Sequence, residues 1–212
     1  MILIGMFDSP FVRRVAVSMK LLGIAFEHRN WSVGRDQARI RQYNPLGRVP
    51  ALMLDTAEVL VESSAILDYL DEHVGPARAL LPLRGEARRK ALKLMVVATG
   101  AAEKGVAQVY EGVFRPEEKR HAPWVARCSE QMQGALVELD RSCQALGGGQ
   151  WLVDGRLTQA DITVTAAFTF LSETQALPAE CYPALIRHVA RCEALPEFQA
   201  THVPFFTPTT GA

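Results

Sequence analysis

The sequence has no excess charge of either sign and no long apolar segment. Its 212 residues include 23 basic and 23 acidic side chains, whereas nucleic-acid binding depends on clustered Lys and Arg that neutralise phosphates. No apolar run approaches the ~18 residues of a membrane span, and the N-terminal stretch lacks the basic flank of a secretory signal. We therefore expect a soluble, cytoplasmic protein with no nucleic-acid partner and no membrane partner.

Cysteine is also scarce. The four cysteines all lie in the second half of the chain, at Cys128, Cys143, Cys181 and Cys192. No two of them have the close spacing of a zinc site or a redox pair, so we expect no metal. An even number permits two disulfides, but a chain of this size without a secretion signal favours free thiols.

The first 76 residues alternate short apolar segments with helical periodicity. A helix is predicted from Pro10 to Gly23 and another from about Ser63 to His73, with a weaker helix or loop between Gly34 and Tyr43. The order β-α-β-α-β-β-α predicts a mixed sheet covered by helices. The predicted strands are Ile2–Ile4, Phe26–Trp31, Val49–Leu54 and Val59–Val61.

Beyond residue 86 the sequence contains no convincing strand. Four segments have helical character: Glu86–Tyr110, Pro123–Leu146, Thr158–Leu171 and Pro183–Ala194. The third begins with Thr158 and Asp161, the pattern of a capping box. We therefore predict an α/β domain at 1–76, a linker at 77–85 and an all-helical domain at 86–212.

Ser9 stands at the turn between the first strand and the first helix. The residue that follows it is Pro10, so Ser9 suits the N-cap position ahead of a first helical residue. A hydroxyl at a helix N-terminus also suits an anion. The pattern leaves both roles open, a cap or a catalytic hydroxyl. Its neighbour Asp8 is expected to cap the helix or to face solvent.

Two further segments each have both a structural and a functional interpretation. Val49-Pro50 begins a predicted strand and is a candidate cis peptide. Glu62 and Ser63 lead into the next helix. One interpretation is structural, with Ser63 or Ser64 as an ordinary N-cap of that helix. The other is functional, with the exposed backbone amides at the helix N-terminus binding a carboxylate.

The order and spacing of these motifs resemble the cytosolic glutathione transferases of the serine type. The resemblance extends over nearly the whole chain, since it includes Ser9, the segment Asn44–Leu52, the pair Glu62-Ser63 and the segment Leu157–Ile162. It implies a thioredoxin-like first domain followed by an all-helical second domain. It also implies a homodimer, with glutathione as co-substrate and no permanently bound cofactor.

The resemblance assigns roles to individual residues. Ser9 would be the catalytic residue that stabilises the glutathione thiolate. Val49, turned by a cis Pro50, would pair with the cysteinyl part of glutathione. Three other residues would complete the binding site, with the γ-glutamyl end held by Glu62 and Ser63 and the glycine end near Arg48.

The second substrate is expected to be a small hydrophobic electrophile. Aromatic residues that would line its pocket are Phe7, Phe11, Tyr110 and Phe114, although aromatics at helical spacing also serve as core. Thr99 or Glu103 would reach glutathione from the partner subunit. A glutathione-dependent isomerase or dehalogenase, and a non-catalytic binding or regulatory protein, remain alternatives because a fold alone does not establish an activity.

Overall fold

Four short strands form one mixed sheet in the computed structural model, which describes residues 1–146 and 150–207. The strands are β1 (Ile2–Ile4), β2 (Glu27–Arg29), β3 (Ala51–Met53) and β4 (Val59–Val61), in the spatial order β2-β1-β3-β4. β1 pairs parallel with β2 and antiparallel with β3, and β3 pairs antiparallel with β4. The predicted β-α-β-α-β-β-α order is confirmed, with β2 and β3 shorter than their sequence patterns.

Helices flank this sheet: α1 (Pro10–Leu21), α2 (Gln37–Ile40) and α3 (Ser63–Val74). Proline is the first residue of α1, where its fixed φ suits a helix and its missing N–H costs nothing. Gly23, at φ +67°, ends the same run. The apolar faces of α1 and α3 pack on each other, burying Val12, Val15, Met19 and Ile66, Leu67, Leu70.

Among its described residues, the second unit contains four α-helices: α4 (Gly85–Phe114), α5 (Ala122–Gln144), α6 (Gln159–Thr174) and α7 (Pro183–Glu193). α6 is buried along most of its length and packs on α4 and α7. Thr158 and Asp161 form the predicted capping box at its start. α4 approaches α6 at Gly105, where a Cβ would lie 2.3 Å from Leu171 Cδ2.

The chain divides at Leu80 and Leu81, inside the predicted linker, and the segment from Pro196 belongs with the first unit. This differs from the predicted assignment of 86–212 to one helical domain. The physical reason is a contact with α1. Arg13 Nη2 donates to the carbonyl oxygen of Phe198 at 3.1 Å. Phe198 belongs to the short helix α8 (Pro196–Gln199), which the sequence pattern did not predict, and its side chain is buried.

All four cysteines are free thiols. Cys128, Cys143 and Cys192 are buried, as expected of structural thiols, whereas Cys181 is exposed. Burial raises the pKa of Cys143 and of Cys192 to about 12, so neither is a thiolate at neutral pH. Among residues 1–146 and 150–207, none of the helices combines the length and the hydropathy of a membrane span. The cytoplasmic location stays a prediction.

Gly5 allows a close backbone approach that no other residue type allows. It follows β1 with φ +129°, and a Cβ there would lie 2.5 Å from Val12 Cγ2 and 2.8 Å from Val49 Cβ. Gly5→Ala should therefore lower the free energy of unfolding by at least about 2 kcal/mol, through strain and overpacking. Urea unfolding of the wild type and the variant measures this loss of stability.

Gly134→Ala on α5 is the matched control. A Cβ at Gly134 meets nothing within 4 Å, and replacing a helical glycine by alanine stabilises by roughly 0.5–1 kcal/mol. Equal unfolding midpoints for the two variants would contradict the packing argument at Gly5.

Candidate active site

Ser9 occupies the N-cap position of α1 without using its side chain as a cap. Its carbonyl oxygen accepts from the Arg13 N–H at 2.9 Å, and its own N–H donates to Met6 O at 3.2 Å. The hydroxyl makes no side-chain cap hydrogen bond, and the residue is half-buried. A hydroxyl that does not cap therefore lies at the positive end of a 12-residue helix.

The segment before β3 is held by a buried asparagine. Asn44 Nδ2 donates to Arg48 O at 2.9 Å, and Asn44 Oδ1 accepts from Leu46 N at 3.0 Å. The Arg48 side chain is exposed, and the Val49-Pro50 bond that follows is cis. The contact of Gly5 with Val49 places this segment against the turn that leads to Ser9.

Glu62, rather than Ser63 or Ser64, is the N-cap residue of α3, so the expectation that either serine caps the helix is wrong. Glu62 adopts φ 71° and ψ 125°, a conformation that costs a non-glycine residue about 1–3 kcal/mol and occurs mainly at functional sites. Ser63 is buried, Glu62 is exposed, and Ser63 Oγ donates to Glu62 Oε1 at 3.0 Å. The strained backbone thus presents a carboxylate at the surface beside a buried hydroxyl.

A buried arginine that the sequence pattern did not identify connects α1 with α3. Arg14 is 2% exposed, and its Nη2 donates to Ser63 Oγ at 2.7 Å and to Ser64 Oγ at 2.9 Å. Burial lowers the pKa of Arg14 to about 10, and the charge of Glu62 acts in the opposite direction. Arg14 is therefore still a cation at neutral pH. Gly5 and Arg14 lie on either side of Ser9 in the chain. Gly5 contacts Val49 and Arg14 contacts Ser63, so both segments are connected to the region around Ser9.

Two residues close to Ser9 in the chain, Asp8 and Phe7, have defined contacts. Asp8 Oδ2 accepts from the backbone N–H of Phe206 at 3.2 Å, so Asp8 contacts the C-terminal segment. Phe7 stacks on His28 with ring centroids 3.8 Å apart, and Phe11 is half-buried. The two predicted pocket aromatics of the first unit thus lie on either side of Ser9 in the chain.

The remaining predicted residues lie on α4. Their spacing of four, seven and four residues places Thr99, Glu103, Tyr110 and Phe114 along one face of that helix. Tyr110 and Phe114 are exposed and meet edge to face at 5.0 Å. Thr99 Oγ1 donates to the Met95 carbonyl oxygen at 2.9 Å, whereas the Glu103 carboxylate is exposed. Of the two candidates for a cross-subunit contact, Glu103 has the more available polar group.

Among residues 1–146 and 150–207, no group of three or more His, Cys, Asp or Glu side chains could hold a metal ion.

Comparison with known proteins identifies the family. Residues 3–78 match the glutathione S-transferase N-terminal domain, and residues 107–196 match the glutathione S-transferase C-terminal domain. The chain therefore belongs to the glutathione S-transferase family.

Solved structures and a curated relative show the same relationship. A glutathione S-transferase from Methylobacterium radiotolerans, in complex with glutathione sulfonate, superposes with a TM-score of 0.87 at 29% identity, covering 100% of this chain and 96% of that one. A glutathione transferase family member from Pseudomonas fluorescens Pf-5, with bound glutathione, gives 0.83 at 30% identity, covering 96% and 99%. Maleylacetoacetate isomerase from Pseudomonas aeruginosa is 27% identical over 94% of this chain and 93% of its own.

Because the Ser9 side chain makes no cap hydrogen bond, removing its hydroxyl should cost little stability. We expect Ser9→Ala to change the free energy of unfolding by less than about 0.5 kcal/mol, whereas loss of a true cap costs ~0.5–2 kcal/mol. Thr158→Ala is the control, since Thr158 Oγ1 accepts from the Ala160 N–H and belongs to a complete capping box. Chemical unfolding of both variants checks this. A loss at Ser9 as large as that at Thr158 would mean that the serine is a cap.

Proposed function

We propose that the protein is a glutathione transferase that stabilises the glutathione thiolate with Ser9 and directs it to a small hydrophobic electrophile. The observation that carries this proposal is the Ser9 hydroxyl, which makes no cap hydrogen bond at the N-terminus of α1. Family membership supports glutathione as the co-substrate.

The energy required of Ser9 is modest. A free thiol has a pKa near ~8.5, so only a few per cent is thiolate at neutral pH. Lowering that pKa by about two units requires ~2.7 kcal/mol of preference for the anion. A hydroxyl donating to a charged group supplies ~1.5–3 kcal/mol, and the N-terminus of a helix adds ~0.3–1 kcal/mol. Ser9 and α1 together supply this amount without a general base or a metal.

The reaction then needs one bond-forming step. The thiol proton leaves to solvent, and a sulfur lone pair forms a carbon–sulfur bond with the electrophilic carbon. For an aryl halide, the halide leaves with the electron pair of its bond to carbon. Ser9 keeps its proton throughout, because its role is to donate a hydrogen bond to the sulfur anion.

We assign glutathione binding to three segments of the first unit. The backbone of Val49, next to Pro50, would pair with the cysteinyl part, and the exposed Arg48 would lie near the glycine carboxylate. The exposed Glu62 carboxylate suits the γ-glutamyl ammonium, and Ser63 suits the adjoining carboxylate. The conformation of Glu62, at φ 71°, supports this assignment because it holds the carboxylate at the surface.

For the electrophile we propose apolar contacts with Phe7 and Phe11, which flank Ser9 in the chain. Aromatic rings without an added charge suit a small hydrophobic substrate rather than an ionic one.

A glutathione-dependent isomerase is the second candidate, favoured by the similarity to a maleylacetoacetate isomerase. In that reaction the thiolate adds to the substrate and is later expelled, so glutathione is regenerated. Transfer instead consumes one glutathione for each product formed. Measuring free thiol during turnover therefore distinguishes the two activities, which use the same Ser9 hydroxyl.

We also propose a symmetric homodimer, in which Glu103 of one protomer reaches the glutathione amine bound by its partner. α4 exposes Leu92 and Val96 one turn apart, at 39% and 69%, and the neighbouring α5 exposes Val137. Such an apolar surface on packed helices suits an isologous contact between copies.

The homodimer predicts a mass of twice 23.4 kDa in solution. Val96→Glu should shift the protein towards the monomer, because it places a charge in the apolar contact. Val203→Glu, at an equally apolar exposed position outside α4 and α5, should leave the dimer intact. Light scattering at micromolar concentration measures both, and a monomeric wild-type protein would contradict the proposal.

The Ser9 proposal predicts a shift in the thiol pKa. Ser9→Ala should raise the pKa of bound glutathione by about one to two units and lower turnover near neutral pH roughly ten- to hundredfold, with affinity nearly unchanged. Raising the pH should restore much of the rate. The measurement is thiolate absorbance against pH in the glutathione complexes of wild type and variant.

Ser18→Ala provides the control for that titration. Ser18 lies on the same helix, but its hydroxyl donates to the Arg14 carbonyl oxygen at 2.7 Å, so its removal should leave the thiol pKa alone. Coincident titration curves for wild type and Ser9→Ala would assign thiol activation to a donor other than Ser9.

A further inference from the structure

Ser9 is the last residue of a four-residue turn that leads from β1 into α1. The Ser9 N–H donates to the carbonyl oxygen of Met6 at 3.2 Å, which is the hydrogen bond between the first and fourth residues of a β-turn. The Ser9 carbonyl oxygen in turn accepts from the Arg13 N–H at 2.9 Å. The direction of the Ser9 side chain therefore depends on how this turn is held against the sheet.

His28 of β2 contacts the turn at two points. Its Nε2 donates to the carbonyl oxygen of Gly5, the residue before the turn, at 2.7 Å. A carbonyl oxygen only accepts hydrogen bonds, so Nε2 carries the proton. The imidazole ring also stacks on Phe7, inside the turn, with ring centroids 3.8 Å apart and planes 4° apart. One side chain thus contacts both the start and the corner of the turn.

The backbone of Gly5 is held by β2 at both of its polar groups. Its N–H donates to Arg29 O at 3.0 Å, and its carbonyl oxygen accepts from His28. Gly5 is buried and has φ +129°. A buried carbonyl that loses a donor must find another partner, and it can do so only by moving. The orientation of the Gly5 peptide therefore depends on His28.

We propose that His28 is a positioning residue for thiolate stabilisation, because it fixes the turn that directs the Ser9 hydroxyl to the glutathione sulfur. The inference rests on the proposed function. His28 acts through the backbone of Gly5 and the ring of Phe7 rather than by contact with the sulfur. Hydrogen bonds weaken steeply when donor and acceptor are misaligned, so a small displacement of the turn reduces the stabilisation that Ser9 supplies.

The hydrogen bond to Gly5 has the larger influence on Ser9, because it acts on the backbone, whereas the stack acts on the Phe7 side chain. The turn is also held from the C-terminal segment, since Asp8 Oδ2 accepts from the Phe206 N–H at 3.2 Å. Loss of the contact with His28 should therefore displace the turn without unfolding it. We expect a rise in the thiol pKa that is smaller than the rise caused by removing the Ser9 hydroxyl.

The test is thiolate absorbance against pH in the glutathione complexes of His28 variants. His28→Phe keeps a ring that can stack on Phe7 but removes the donor. It should raise the pKa of bound glutathione by about 0.5–1 unit and lower turnover near neutral pH roughly three- to tenfold.

Two amide variants locate the effect at the hydrogen bond to Gly5. His28→Gln can place an amide N–H near the position of Nε2, so it should keep the thiol pKa within about 0.3 units of the wild type. His28→Asn is shorter by one methylene group and cannot reach the Gly5 carbonyl oxygen, so it should resemble His28→Phe. The same pair of variants decides the question if His28→Phe does not fold.

His73→Phe is the matched control. His73 also stacks on an aromatic ring, that of Tyr69 at 5.7 Å, but it lies in the last turn of α3. Its replacement should leave the thiol pKa alone. The double variant Ser9→Ala, His28→Phe then tests whether His28 acts through Ser9, in which case its thiol pKa should equal that of Ser9→Ala. A role in stability alone would lower the unfolding midpoint of His28→Phe and leave the thiol pKa of the folded complex unchanged.

The outcomes separate the two proposals. An unchanged thiol pKa in His28→Phe, or a further rise when it is added to Ser9→Ala, overturns the role of His28, while the shift in Ser9→Ala alone still supports the proposed function. An unchanged thiol pKa in Ser9→Ala overturns the proposed role of Ser9 and that of His28 together.

Discussion

The close approach of Gly5 to Val49 is the contact on which the candidate site depends. It brings the segment before β3 against the turn that carries Ser9, and only a residue without a Cβ fits there. Because α1 starts at that turn, the direction of the helix and the position of the Ser9 hydroxyl follow from the same contact. Arg14 then joins the helix to α3 through Ser63. Three segments that are distant in sequence are thereby held in one unit.

The polar side chains of the site differ in their hydrogen-bond partners. Asn44 uses both ends of its side chain on the local backbone, so its role is to shape the segment before β3. Ser63 is held between Arg14 and Glu62. Ser9 makes no cap hydrogen bond, although serine is among the best N-cap residues. Because the Ser9 hydroxyl is not used as a cap, it is available to bind a ligand. This agrees with the proposed hydrogen bond from Ser9 to the glutathione thiolate.

Local sequence patterns predicted most of the fold. Pro10 marked the start of α1, and Thr158 marked the start of α6 with its capping box, because both effects act within one helical turn. The position of Ser9 at the turn was also predictable, but not whether its hydroxyl caps, since that depends on side-chain geometry. Arg14 was missed because its partner lies 49 residues away. The return of the segment from Pro196 to the first unit depends on a similarly distant contact.

The most direct measurement of the central claim is the distance between Ser9 Oγ and the sulfur atom in a crystal structure of the glutathione complex. The account predicts that the two atoms lie within hydrogen-bond distance, with the γ-glutamyl end at Glu62 and Ser63. A complex in which the sulfur atom lies out of reach of Ser9, or in which the hydroxyl turns to cap α1, would contradict it.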